Sequence, residues 1–309
     1  MTGTSHTETE LRRQASLGAI AAGGGYVLWG LSVIFYKQLD HVASLEILAH
    51  RTLWSVALIA VLIIGLRRKA ELVAIFRDKR TLATLVLTAY ILASNWFIFI
   101  WAVNSGRVLE TSLGYFINPL VSVLAGVLIL GERLTRAQML AMALATIGVV
   151  YFTMSLGFAP WISLYLAVSF AAYGYLRKVT RVGALEGLFI EVLALMPAAI
   201  AYLAYLSSHG GTGFAHDGWY TIFLLMLTGP MTTVPLLLFT YGAQRIRLTT
   251  LGLLQYLVPT TSFAIAVWVY GEPLGQGQIV TFALIWIGLA IFTFDTWRRE
   301  RELRRMIVA

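Results

Sequence analysis

The apolar residues of this chain fall into ten blocks, at about residues 17–37, 44–66, 81–103, 111–130, 137–155, 159–177, 184–206, 219–242, 249–270 and 278–297, joined by short connections. A membrane-spanning helix needs about 20 mainly apolar residues, and each block comes close to that length. The pattern predicts an all-α polytopic membrane protein with ten transmembrane helices.

The blocks repeat. Ser112–Thr153 set on Gly252–Thr293 without a gap gives 14 identities in 42 positions, among them Pro119/Pro259, Ser122/Ser262, Gly131/Gly271, Glu132/Glu272, Gln138/Gln278 and Gly148/Gly288. Carried back to the start, the offset of 140 residues sets the first predicted helix on the sixth, the second on the seventh and the third on the eighth. A period of nearly half the chain fixes the architecture before any single residue is interpreted: five helices, then five more.

An odd number of crossings turns the second copy over, and loop charge tests this. The connection after the second predicted helix, RRKAELVAIFRDKR, carries six Lys or Arg, while its counterpart after the seventh, SSHGGTGFAHDGWY, carries none. Conversely, Lys37 alone follows the first helix, whereas Arg177, Lys178 and Arg181 follow the sixth. Equivalent loops have exchanged their charge. Basic loops stay on the cytoplasmic side, so two inverted five-helix repeats with both termini inside are expected. The layout is a cytoplasmic segment at 1–16, a first repeat at 17–155, a second at 156–297 and a basic tail at 298–309.

Composition adds the class. With 59% hydrophobic and 12% charged residues and a mean hydropathy of +0.78, the chain lies outside the soluble globular range. The net charge of +8 reads as a topology signal, since the basic residues flank the apolar blocks; nucleic acid is not an expected partner, and the bilayer is. The absence of cysteine removes disulfides and thiolate chemistry. No nucleotide-binding glycine loop and no metal-ligand cluster occurs, so neither cofactor nor enzyme chemistry is expected. Inverted repeats are characteristic of secondary transporters, whose substrate sits near the midplane between the repeats.

Residues inside the blocks supply the candidate site. Pro119 and Pro259 each remove a backbone hydrogen bond and are expected to bend their helices. The polar neighbours Tyr115 and Asn118, and Gln255 and Tyr256, read either as a substrate-facing wall or as interhelical hydrogen bonds. Trp29 and Asn95 lie well inside the first and third helices, with Trp101 and Asn104 further along, and together would give a cavity aromatic faces and amides. Arg51 and Glu191 are equivalent under the offset and are expected to approach one another near mid-membrane, directly or through His50 or water, each offsetting the other's burial. Glu46 and Glu186, another equivalent pair, read as interfacial. Gly131-Glu132 and Gly271-Glu272 read chiefly as hairpin punctuation, with Thr135 and Gln138 in capping-box spacing.

The blocks Glu46-Ile-Leu-Ala-His50-Arg51, Asn95-Trp96, Trp101-Ala-Val-Asn104, Leu113 to Leu120, Gly131-Glu132-Arg133 and Leu248 to Gly252 with Gln255-Tyr256 resemble the RarD branch of the drug/metabolite transporter superfamily, with its duplicated EamA-type domains. The resemblance implies a ten-helix bundle in the bacterial inner membrane. Its cavity would be lined by the first, third, fourth, sixth, eighth and ninth helices, with the second and seventh more peripheral. The expected function is a secondary transporter, an exporter of a small organic metabolite or amphipathic compound, working by alternating access. An uncoupled facilitator or channel is the alternative. The coupling ion is left open.

Overall fold

The computed structural model describes residues 2–105, 107–156, 160–210, 218–271 and 275–308. Among them there is no strand, only helix: α1 Thr2–Lys37, α2 Ser44–Gly65, α3 Lys69–Arg77, α4 Lys79–Asn104, α5 Val108–Leu128, α6 Arg136–Leu156, α7 Trp161–Val179, α8 Ala184–Ser208, α9 Gly218–Ala243, α10 Leu248–Leu254, α11 Leu257–Trp268 and α12 Gln276–Val308. Nine segments of the described residues are long and apolar enough to cross a membrane. α7, the sixth expected crossing, has 19 residues and is not among them. Tyr165, Tyr173, Tyr175, Arg177 and Lys178 dilute its apolar run.

Three features depart from the expected boundaries. α1 starts at Thr2 rather than near residue 17, because Glu, Leu, Arg and Gln in the polar segment are good helix formers. The basic connection after α2 contains the short α3, which seats Ile75 against Leu85 and Ile190. The ninth expected helix is split into α10 and α11 around Gln255-Tyr256. Pro259 has no N–H to give the Gln255 carbonyl, which accepts instead from Val258 at 3.0 Å, one residue tighter than an α-helix allows. Pro119, by contrast, lies within an unbroken α5.

The helix pairings have an internal symmetry. α1 packs on α9 and α11, and α7 on α4 and α5; α9 packs on α2, and α4 on α8; α2 packs on α8, α5 on α10, and α6 on α12. Exchanging each helix for its counterpart 140 residues away returns the same set. The sequence halves therefore interlock, with α1 packed against α9 and α11 and α7 packed against α4 and α5. Small residues permit the closest approaches. A Cβ on Gly242 would lie 2.7 Å from the Gly18 carbonyl, and one on Gly252 would lie 2.9 Å from that of Pro119. Tyr26 and Trp29 of α1, Phe170 and Tyr173 of α7 and Phe239 of α9 make a continuous aromatic core, with neighbouring ring centroids 5.5 to 6.0 Å apart.

Candidate functional site

Four helices bring side chains together around Arg51. The residue lies seven positions after the start of α2, about 10 Å along its axis. Its guanidinium stacks on Trp96 of α4, 3.6 Å from the ring centroid. Tyr36, near the end of α1, and Tyr115 of α5 are further neighbours. Tyr115 is 42% exposed and packs edge-on against Phe99 at 6.0 Å. All these residues lie toward the end of the bundle that carries the α1–α2 and α4–α5 connections. α2 thus places its cation among the helices expected to line the cavity, although the family resemblance implies a peripheral α2.

The expected partnership of Arg51 with Glu191 takes a different form. Glu191, buried in α8, is ion-paired with Arg177 at 3.4 Å. Its two oxygens also meet the Thr88 hydroxyl at 2.7 Å and the Tyr173 hydroxyl at 3.3 Å. Arg177, expected in a cytoplasmic connection, is fully buried and lies flat over Gly187, where any Cβ would strike its terminal nitrogens. His50 faces Glu46, one turn earlier in α2, at 3.8 Å. Arg51 and Glu191 do line one cavity of about 10 Å³, together with Ser55, Trp96 and Thr232. The Nε of Arg51 and the hydroxyl of Thr232 have no hydrogen-bond partner there.

The remaining expected cavity residues divide. Trp29 is partly buried in the aromatic core, 5.8 Å from Phe239. Asn95 is buried and donates to the Leu166 carbonyl at 2.9 Å and to Ser169 at 2.8 Å, holding α4 to α7. Ser122 lies 3.4 Å from the side-chain oxygens of both Asn118 and Gln255, and the Tyr256 hydroxyl donates to the Phe116 carbonyl at 3.2 Å. Gln255 and Tyr256 thus tie the α10–α11 junction to α5, whereas the Asn118 contact stays within α5. Trp101 is 39% exposed at the bundle end, beside Trp161 at 5.9 Å. Tyr115, beside Arg51, completes the set, and the side chain of Asn104 lies outside the described residues.

The opposite end is drawn together by side chains that reach backbone groups. Glu132 accepts the N–H groups of Leu248 and Thr249, both at 2.8 Å, and so caps the start of α10. A carboxylate at that position also meets the positive end of the helix dipole. Lys178 donates to the carbonyls of Ala243, at 3.1 Å, and Ile246. Gln244 donates to Val182 at 2.6 Å, and Arg247 to Arg133 at 3.3 Å. Gly131, with φ of +65°, turns the chain out of α5 as expected, yet Glu132 serves another helix as well as its own hairpin. Its sequence counterpart Glu272 lies outside the described residues. The Thr135 capping box forms: the Thr135 N–H donates to Gln138 at 2.9 Å, and the Gln138 N–H to the Thr135 hydroxyl at 3.1 Å.

Arg177, Tyr36, Thr88 and Tyr173 are the site residues that sequence reasoning missed. For Arg177 a signal existed, since Phe170, Tyr173 and Arg177 recur at the i, i+3, i+7 spacing of one helix face. Its place in the last turn of α7, next to Lys178, gives it the charge pattern of a loop residue.

With this geometry in view, the chain can be set beside known proteins. Residues 16–154 match the EamA-like transporter family. A Vibrio cholerae protein named an uncharacterized transporter is 43% identical over 95% of this chain and 97% of its own length. Proteins named RarD from Streptomyces exfoliatus and Escherichia coli K12 are 40% and 41% identical, each over 94% of this chain and 93% and 98% of their own. A crystal structure 19% identical in sequence superposes with a TM-score of 0.68 over 90% of this chain and 97% of its own, a likeness of fold. The chain therefore belongs to the EamA-like transporters: it is a multi-pass membrane transporter of the drug/metabolite type, and not an enzyme. Within that superfamily it is RarD-like.

Proposed function

We propose that the protein is a secondary transporter that exports a small organic solute by alternating access between two inverted five-helix repeats. The exchange symmetry of the helix pairings is the observation that carries this reading. α1 with α9 to α11 and α4 with α5 and α7 are two equivalent bodies able to tilt against one another, as inverted-repeat transporters do. α7 is then the tenth crossing, shielded by α4, α5 and α9 and so less in need of an apolar surface. Loop charge favours a cytoplasmic place for both termini and the Glu132 end, and the bacterial relatives support an inner-membrane location. The ties at the Glu132 end and the exposed Tyr115 at the other fit a state open to the outside.

The substrate region is read as the space between the two bodies, bordered by Tyr115, Trp101 and Trp29, with Asn95, Asn118, Gln255 and Tyr256 shaping its wall and Pro119 and Pro259 bending it. The cavity shared by Arg51, Thr232 and Glu191 has the size and polar lining that suit one water.

Comparing metabolites inside and outside cells with and without the protein, then measuring uptake of the differing compound into proteoliposomes, tests the reading. Countertransport of that compound is expected, and its absence would remove the carrier mechanism. One observation favours the uncoupled facilitator as a second reading: Glu110, Glu186 and Glu191 are each engaged by an arginine. Flux indifferent to an imposed pH gradient would support it.

A further inference from the structure

We propose that Arg51, held between Trp96, Tyr36 and Tyr115, receives the carboxylate of an aromatic or otherwise amphipathic solute. The proposal rests on the transporter reading and names the chemical class of its substrate.

Charge inside the bundle is the first argument. Glu191 is neutralised by Arg177 at 3.4 Å, Glu186 by Arg68 at 3.6 Å and Glu110 by Arg107 at 2.7 Å, while Glu46 faces His50 at 3.8 Å. Among the described residues no carboxylate is ion-paired with Arg51. An arginine within a membrane helix costs about 2.5 to 3.5 kcal/mol on insertion scales, and buried charges are normally paired or hydrogen-bonded. The carboxylate that shares a cavity with Arg51, that of Glu191, is already ion-paired with Arg177.

The duplication sharpens this. Glu191 and Arg177 stand 140 residues after Arg51 and Lys37. Where the second half holds an acid with its own cation, the first half holds two cations, and Lys37 turns away over Tyr270 at 5.4 Å. The structural ion pair of one repeat has as its mate a cation without an acid. That is the pattern expected when the missing acid arrives with the solute.

Geometry supplies the recognition. The guanidinium carbon lies over the Trp96 ring at 3.6 Å from its centroid, an attraction that leaves the N–H donors for other partners, and Nε has no hydrogen-bond partner. A planar fork matches a carboxylate through two parallel hydrogen bonds. Tyr36 and the 42%-exposed Tyr115 are the neighbours of Arg51 on α1 and α5. They offer ring faces to the body of the solute and a hydroxyl to its polar head. The uncompensated charge disfavours organic cations by like-charge repulsion, which gives selectivity as well as affinity.

The test uses purified full-length protein in nanodiscs with three solutes that share one aromatic body: 3-phenylpropionate, its neutral amide 3-phenylpropanamide, and phenethylamine. Binding is read from tryptophan fluorescence and from the shift in melting temperature. The carboxylate is expected to bind at least tenfold more tightly than the amide, and the amine more weakly than either. Arg51→Gln should remove the preference for the carboxylate over the amide. Should that variant not fold, Arg51→Lys decides in its place; a point charge in lieu of a fork should cut the preference by about tenfold. Equal affinity of wild type for carboxylate and amide, no saturable response to the carboxylate, or a preference that survives these substitutions would overturn the proposal. Proteoliposome flux separates the two readings. Carboxylate binding without flux removes the transporter reading and leaves the anion site; solute flux unchanged by Arg51→Gln removes the anion site and leaves the transporter.

Discussion

Oε2 of Glu132 accepts the backbone N–H of Thr249 at 2.8 Å, while Oε1 of the same carboxylate takes that of Leu248. The residue that ends the α5 hairpin thereby closes the first turn of α10, joining the two equivalent helix groups at one end of the bundle. Charge-assisted hydrogen bonds to orphan helix amides are each worth about 1.5 to 3 kcal/mol.

Glu132→Ala is therefore expected to loosen that end by about 3 kcal/mol or more, roughly a hundredfold in the equilibrium between closed and open. The chain has no cysteine, so Tyr115→Cys supplies a single thiol. Its labelling by a membrane-impermeant reagent should be fast from the α1–α2 end and slow from the Glu132 end. Adding Glu132→Ala should raise the slow rate. Equal rates with and without the substitution would mean that the carboxylate is no latch.

The pair Arg177–Glu191 makes a separate prediction. Removing one partner of a buried ion pair strands the other and costs about 3 to 5 kcal/mol, whereas an apolar pair of similar volume is often neutral. Glu191→Ala should lower the melting temperature sharply, and the double variant Arg177→Met with Glu191→Leu should recover most of the loss. The exchange of Arg51→Glu with Glu191→Arg should recover none, because Glu191 has its cation in α7. Full recovery by that exchange would reverse this assignment.

Gly252 tests the crossing of α5 and α10. A side chain there would meet the Pro119 carbonyl and the Val123 methyl at 2.9 Å and Ser122 at 3.1 Å. Gly252→Val is expected to destabilise by about 1 to 3 kcal/mol in a thermal melt and to weaken the Ser122–Gln255 contact. Gly24 has open space around it, so Gly24→Ala should leave the melting temperature unchanged or slightly higher.

At the start of α6 the Thr135 hydroxyl accepts from Gln138 and also donates to Asp295 of α12 at 3.1 Å. Thr135→Ala loses the cap and the tie together, an expected cost of about 1 to 2 kcal/mol, whereas Thr135→Ser should keep both. Hydrogen exchange at Arg136 to Met139 would report the fraying of the first turn directly.

Much of this was legible in the chain itself. Apolar block length fixes helices because backbone groups in lipid must be satisfied within each segment, and a 140-residue period with exchanged loop charge needs only counting. Gly131, Thr135 and Gln138 announce their turn and cap because those are local, few-residue geometries. A proline signal does not decide as much, since the helix is split before Pro259 but runs unbroken through Pro119. What tertiary structure decided is which polar groups meet. Whether Glu191 takes Arg51 or Arg177 depends on how α7 and α8 rotate about their axes, and a few tens of degrees move a long side chain from one partner to another. Glu132 reaches α10 only because α5 and α10 cross closely at Gly252. The partners of Asn95, Gln255 and Tyr256 likewise lie tens to hundreds of residues away. Sequence set where the long apolar helices fall and the 140-residue offset between similar segments, which follow from each segment's own chemistry. Pairing between helices follows from side-chain packing among segments, and that left Arg51 facing its aromatic neighbours without an acid of its own.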